Sequence, residues 1–222
     1  MGLRKSFVAK DGYTLLVLDY KQLEMRIAAH LSGSRTFQSV FDTTRDPFVE
    51  IATLIFCDKA KEGTTIKITS EERAMAKQQV YAWLYGATNE NFYSIFQGSE
   101  NYHNRVKEEF RELGGVSTIG GHYRRCDGMT IAYNSKCQGS ASDIFKYVLH
   151  NIYMKLSIEE PLCNIVLIVH DEIVLEVPTR DVQRINTIVK DEMINGGKYY
   201  KLNVPLDVSS KVGKTYGTLK EI

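Results

Sequence analysis

The chain has 222 residues, with 28 basic and 27 acidic side chains and 43% hydrophobic content. That length supports a real core, and 25% charged residues with ordinary glycine and proline counts exclude disordered, collagenous and coiled-coil classes. A formal charge of +1 excludes a protein that coats nucleic acid by bulk electrostatics, but not one with a locally basic cleft.

Met1–Ser6 fits the short N-myristoylation pattern, yet Phe7-Val8-Ala9 reads as a first strand, so lipidation is not expected. No apolar segment of signal-peptide type follows, and the longest apolar runs, Leu15–Leu18 and Ile165–Val169, are too short to span a bilayer. Tyr13 to Leu18 is a β-leaning run ending at Asp19, and Gln22 to Ser32 then turns helical, with Leu23, Ile27 and Leu31 four apart and Gly33 as a stop. Asp46-Pro47 predicts an N-cap and first helical residue for a helix to about Phe56. Thr69 and Glu72 make a capping box for a helix to about Tyr85.

Residues 89–113 read as helical, followed by a glycine-rich break at Gly114-Gly115 and Gly120-Gly121. Tyr133 to Leu156 reads as a long helix despite Gly139. Asn164–Val169 and Ile173–Val177 are predicted as two buried strands of a hairpin turning at His170-Asp171-Glu172. A helix from about Arg180 to Met193 and a last strand near Leu202–Val208 complete an α+β pattern without βαβ alternation. Cys57, Cys126, Cys137 and Cys163 are scattered, with no CxxC pair, which suits unpaired thiols in a reducing, intracellular compartment.

Two features carry chemistry. Asp19 ends a hydrophobic strand and Asp171 sits at a hairpin tip; brought together they would form a hard-oxygen site suited to Mg²⁺. Taken singly, each reads first as an ordinary strand-end or turn aspartate. Arg73, Lys77, Tyr81 and Tyr85 recur every four residues along one slowly drifting helix face. That order, cations near the positive helix start and aromatics beyond, suits a ligand with phosphates at one end and a base at the other. The spacing alone slightly favours a solvated cationic face with core aromatics.

The wording of the segments goes further. Asp19-Tyr20-Lys21-Gln22-Leu23-Glu24-Met25-Arg26, continuing into Ala29-His30-Leu31-Ser32, resembles motif A of family A DNA polymerases. Arg73-x-x-x-Lys77-x-x-x-Tyr81-x-x-x-Tyr85-Gly86 resembles motif B, and Val169-His170-Asp171-Glu172 resembles motif C, in the same order. Asn134-x-x-x-Gln138-Gly139-Ser140-Ala141-Ser142-Asp143 is similar to the helix that contacts the template–primer duplex, and Val212–Lys220 to the family's closing segment. Asp46-Pro47-Phe48 carries Phe where bacterial members often have His, which is nearer the theta and nu branch but assigns no branch, and a phage-type relative stays open.

The resemblance implies an antiparallel-sheet palm at 1–45 and 130–222 with a helical fingers insertion at 46–129. It implies template-directed DNA synthesis from deoxynucleoside triphosphates on a primer–template. Asp19 and Asp171 would hold two Mg²⁺ ions, for which Mn²⁺ can substitute, with Glu172 an auxiliary acid. Arg73 and Lys77 would bind the triphosphate, and Lys77 would protonate pyrophosphate. Tyr81, Tyr85 and Gln22 would lie against the nucleotide, and Glu24 would exclude a 2′-hydroxyl. Asn134, Gln138 and His170 would touch primer or template. Tyr81 stands where relatives carry Phe or Tyr, and Tyr there implies acceptance of dideoxynucleotides.

There are departures: Lys21 replaces a small polar residue, Thr130 an arginine, and the Leu113–Thr130 stretch is short, with Gly121–Arg125 only loosely similar to the family's basic run. The thumb and exonuclease domains that precede motif A in relatives have no counterpart in the 222 residues. The expectation is therefore weak duplex grip, a partner chain supplying those parts, or a feebly active DNA-binding remnant. Retention of Glu24, a sugar gate that a binding module does not need, disfavours the last.

Overall fold

A computed structural model describes residues 2–56 and 67–222, so Cys57 lies outside the described residues. In chain order the elements are β1 (Tyr13–Tyr20), α1 (Leu23–Ser32), α2 (Arg35–Ser39), α3 (Pro47–Phe56), α4 (Ser70–Leu84), α5 (Glu90–Ile95) and α6 (Ser99–Leu113). There follow β2 (Gly115–Ser117), β3 (Tyr123–Arg125), α7 (Met129–Glu159), β4 (Asn164–Val169), β5 (Glu172–Pro178), α8 (Val182–Tyr199), β6 (Val208–Gly213) and β7 (Lys220–Glu221). Helices with an antiparallel sheet make the α+β class read from the sequence. The chain divides into two compact units: Met1–Leu23, Ala141–Lys201 and Leu206–Ile222 form the first, and Glu24–Ser140 with Leu202–Pro205 the second.

The first unit is built on a five-stranded sheet in the order β4-β5-β1-β6-β7, its described pairs antiparallel. Alternation along β1 sends Leu16, Leu18 and Tyr20 to one face, where Ile173 and Leu175 of β5 join them, all buried. α8 packs against β1, β5 and β6, and the Tyr20 hydroxyl donates to the Met193 carbonyl of that helix at 2.7 Å. Gly196 lets α8 come close, since a Cβ there would sit 2.4 Å from Val148 Cγ2 of α7. The opposite face of the sheet carries Leu15, Val17 and Val174, which pack with Ala9 and Tyr216 in a smaller apolar cluster. Asp19 and Glu172 share that face.

The second unit is helical. Its core gathers Met25, Phe37, Ile51, Val80, Trp83, Phe92, Phe96 and Tyr102. Trp83 stacks on Phe92 and meets the edge of Phe37, both with centroids 5.3 Å apart. Aromatic pairs in these geometries add to simple area burial. β2 and β3 pair as a short hairpin, and Gly139 of α7 lies against its connection, where a Cβ would be 2.5 Å from Thr118 Cγ2. That close approach explains a glycine inside a long helix.

Four expectations need correction. Phe7-Val8-Ala9 is not a strand: after a 3₁₀ turn at Leu3–Ser6, only Val8 makes a bridge, to Thr215. β4 is not buried on both faces but is the sheet edge, with Val166 49% and Ile168 44% exposed. A continuous apolar run could not reveal that one side lacks a neighbour. The last long strand starts at Val208, because Pro205 interrupts the ladder donors and Val204 and Leu206 bury as loop residues instead. Residues 89–113 form two helices, separated where Gly98 takes φ +88°, and the glycine-rich break holds the β2–β3 hairpin. Elsewhere the Asp46 cap and the Thr69–Glu72 capping box form as read: Phe48 N–H donates to Asp46 Oδ1 at 2.8 Å, and the box bonds measure 3.0 and 3.2 Å.

Candidate active site

In the first unit, hydrogen-bond register brings the acids together. β1 pairs Asp19 with Glu172 of β5 on one side and with Ser209 of β6 on the other. Glu172 joins the strand, so the β4–β5 turn is only His170-Asp171, and His170 takes φ +57°. A positive φ at the first of two turn residues matches a hairpin turn, but in a non-glycine residue it stores about 1 kcal/mol or more. Gln22, three residues beyond Asp19, also lies at positive φ, +51°. Thus Asp171 directly follows strained backbone of the kind that clusters at functional sites.

The electrostatics follow from placing like charges side by side in partial burial. Burial first, then the charges of Asp171 and Glu172, push the Asp19 carboxyl up to about 6, and Lys211 opposes them. Burial raises Asp171 as well, against a backbone hydrogen bond and nearby His170, with Glu172 adding to the rise. The Tyr216 hydroxyl donates to Glu172 Oε1 at 2.6 Å.

These acids fit a divalent cation. Like-charged residues directly opposite each other in a ladder destabilise it unless a counter-charge intervenes. No group of three or more His, Cys, Asp or Glu among the described residues is arranged to hold a metal alone. Mg²⁺, however, characteristically takes one or two carboxylates and completes its shell with water and substrate phosphates, which is the donor set that Asp19 and Asp171 offer.

In the second unit, α4 carries the cationic and aromatic series on one face while Ala76, Val80, Trp83 and Leu84 are buried. Arg73 donates twice to Asp46 Oδ2, at 3.1 Å from Nε and 2.6 Å from a terminal nitrogen. Its guanidinium lies 5.5 Å from the Phe48 ring centroid, and Lys77 Nζ lies 5.8 Å from the rings of both Phe48 and Tyr81. Tyr81 and Tyr85 stack at 6.5 Å and 24°, with Tyr85 exposed. Lys77 is exposed, and Arg73 and Tyr81 are half-buried.

Glu24, in the first turn of α1, is half-buried. Burial pushes the Cys137 thiol up to about 12, against a hydrogen bond with Tyr102, and the Glu24 charge adds to the rise. On that helix Asn134 has a buried Oδ1 without a hydrogen-bond partner, and Gln138 is exposed. His170 is exposed at the turn. Cys126, Cys137 and Cys163 are free thiols, and no helix among the described residues is long and apolar enough to cross a membrane.

Sequence reasoning missed four neighbours of these residues. Asp46 was legible only as a helix cap, and Phe48 only as a family variation. Lys211 falls on the Asp19 face once β6 is placed at 208–213, two residues beyond Ser209. Tyr216 lay in the closing segment with nothing in the pattern to link it to Glu172.

Comparison with known proteins agrees over nearly the whole chain. The model of "DNA polymerase family A" matches residues 1–94 and 87–218. The thermostable DNA polymerase I of Thermus filiformis is 31% identical over 251 residues, covering 99% of this chain and 29% of that protein. DNA polymerase theta of Drosophila melanogaster is 30% identical over 257 residues, covering 99% of this chain and 12% of that protein. The chain therefore spans under a third of the length of these relatives. Among solved structures, the POL domain of Pol1 from M. smegmatis, in complex with DNA primer-template and dNTP, superposes with a TM-score of 0.83 at 28% identity. The match covers 96% of this chain and 42% of that one. With a family match spanning both units, the chain belongs to DNA polymerase family A.

Proposed function

We propose that the chain carries out template-directed DNA synthesis, joining a deoxynucleotide from its triphosphate to a primer 3′-hydroxyl, with 1–45 and 130–222 as palm and 46–129 as fingers. The observation that carries this reading is the register of β1 against β5, which sets Asp19 opposite Glu172 with Asp171 in the adjoining turn, in a family A chain.

In this reading Asp19 and Asp171 hold two Mg²⁺ ions. When bound there, Mg²⁺ supplies Lewis-acid stabilisation for the 3′-oxygen and for charge on the triphosphate. Arg73 binds phosphate oxygens with its planar fork, exchanging Asp46 for the substrate as counter-ion. Lys77 donates a proton to the departing pyrophosphate. Tyr81 and Tyr85 offer a stacked aromatic surface to sugar and base, with Gln22 beside the nucleotide, and Glu24 fills the space that a 2′-hydroxyl would need. Asn134 uses its unpartnered Oδ1, with Gln138 and His170, toward the primer–template.

Primer extension with the purified chain, Mg²⁺ and deoxynucleotides tests the reading, with Asp171→Ala as control. Extension that the control abolishes is expected; extension that survives it, or DNA binding without synthesis, overturns the proposal. Extension only after adding a second polypeptide assigns the grip on duplex to a partner chain.

A further inference from the structure

We infer that Tyr216 is a positioning residue of the acidic centre, fixing the Glu172 carboxylate through its hydroxyl; this rests on the reading of that centre as a metal site. Among the described residues, Glu172 is the one member of the Asp19–Asp171–Glu172 cluster whose carboxylate takes a hydrogen bond from another side chain; Ser209 Oγ reaches only the Asp19 backbone carbonyl, at 3.4 Å. At 2.6 Å the bond lies in the range of short, charge-assisted O–H···O⁻ bonds, about twice as strong as neutral ones.

The donor is itself tightly held. Tyr216 is 7% exposed and packs with Ala9, Leu15, Val17 and Val174. The Arg4 guanidinium covers its ring at 5.2 Å, and Phe7 meets it edge-on at 6.3 Å. Its backbone N–H donates to the Phe7 carbonyl at 3.0 Å, Ala9 N–H donates to Lys214 at 2.9 Å, and Val8 bridges Thr215 between them. Gly217 keeps the two segments close, since a Cβ there would sit 2.4 Å from Lys5 Cγ.

This clamp answers a specific problem. Glu172 stands directly opposite Asp19, so two carboxylates share one face of the ladder and repel. A free glutamate side chain would relieve that repulsion by rotating away. The Tyr216 hydroxyl instead holds it in one orientation beside Asp19 and Asp171, ready to assist a cation there without itself touching substrate.

Tyr216→Phe removes the hydroxyl while keeping the ring contacts with Arg4 and Phe7. It is combined with Glu172→Gln in a double-mutant cycle, read by Mn²⁺ binding in electron paramagnetic resonance and by primer extension, with thermal melts as a check on folding. Loss of the hydroxyl is expected to weaken Mn²⁺ binding about fivefold and to lower kcat by a similar factor at unchanged KM for the nucleotide. In the Glu172→Gln background the same substitution changes neither. Equal losses in both backgrounds, no loss in either, or no measurable Mn²⁺ binding by the unmodified chain overturns the inference. An intact Mn²⁺ cycle without any extension would leave Tyr216 in this role and sink the polymerase reading. Extension indifferent to Tyr216→Phe would do the reverse.

Discussion

The acidic edge of the first unit and the cationic face of α4 in the second hold their charges by opposite means. Asp19 and Glu172 are set by backbone register, on neighbouring strands, facing like charge in partial burial. Arg73 and Lys77 ride on a capped helix whose inner face is buried, and Arg73 is paired with Asp46 at the surface, the two side chains 41% and 36% exposed. An exposed ion pair of that kind contributes about 0–1 kcal/mol and is readily exchanged for another anion. The paired strand ends therefore keep a repulsion that Lys211 only opposes and a cation would remove, while the helix stores a counter-ion that an anionic ligand can displace.

Asp19→Asn should have the largest effect, because it breaks the acidic side of this contrast. Removing the carboxylate proposed to hold metal is expected to lower primer extension by about a thousandfold or more. The same change should raise the melting temperature of the metal-free chain at neutral pH. The sign follows from the raised carboxyl: the folded chain binds this proton more tightly than the unfolded one does. Its stabilising contribution is therefore complete below about pH 4 and is lost as pH rises through about 6. Melts in chelator from pH 4 to 8 should show that loss in the unmodified chain and a smaller one in Asp19→Asn. Mg²⁺ should restore stability above pH 6 only where Asp19 is present.

On the cationic side, Arg73→Ala and Lys77→Ala should each reduce kcat/KM for the nucleotide by about a hundredfold, the scale of one or two charge-assisted hydrogen bonds. The sharper probe is Asp46→Asn. Asparagine caps a helix as well as aspartate does, so α3 should be retained while Arg73 loses its counter-charge. Nucleotide KM should fall about twofold, matching the small worth of an exposed pair. An increased KM would mean that Asp46 orients Arg73 for its ligand rather than competing with it.

The two regions also differed in how far they could be read from sequence. Along α4, four-residue spacing and a capping box are local signals, so the helix start and the series from Arg73 to Tyr85 along one face were legible. What that spacing could not show was Asp46, 27 residues away and joined to Arg73 only by tertiary packing. At the acidic edge the strand ending at Asp19 and the hairpin at Asp171 were visible as apolar runs. Their partners were not: Lys211 depended on the start of β6, which Pro205 delays, and Tyr216 reaches Glu172 across 44 residues. The edge position of β4 was hidden for the same reason, since sheet order is a property of the whole ladder.

The smallest expected effect tests whether the cationic face depends only on its own helix. Thr69 accepts from Glu72 N–H at 3.2 Å while Glu72 reaches back to Thr69 N–H at 3.0 Å, so Thr69→Ala removes one half of the box and weakens the other. Such caps contribute about 1 kcal/mol. Trp83, the single tryptophan, is buried in α4 against Phe37 and Phe92, so its fluorescence reports the second unit during urea unfolding. The expected result is a lower midpoint by that signal, with Mn²⁺ binding at the acidic edge unchanged. A matching loss of Mn²⁺ affinity would mean that the two charged regions are not independent, because it would tie the Asp19 and Asp171 carboxylates to the start of a helix in the other unit.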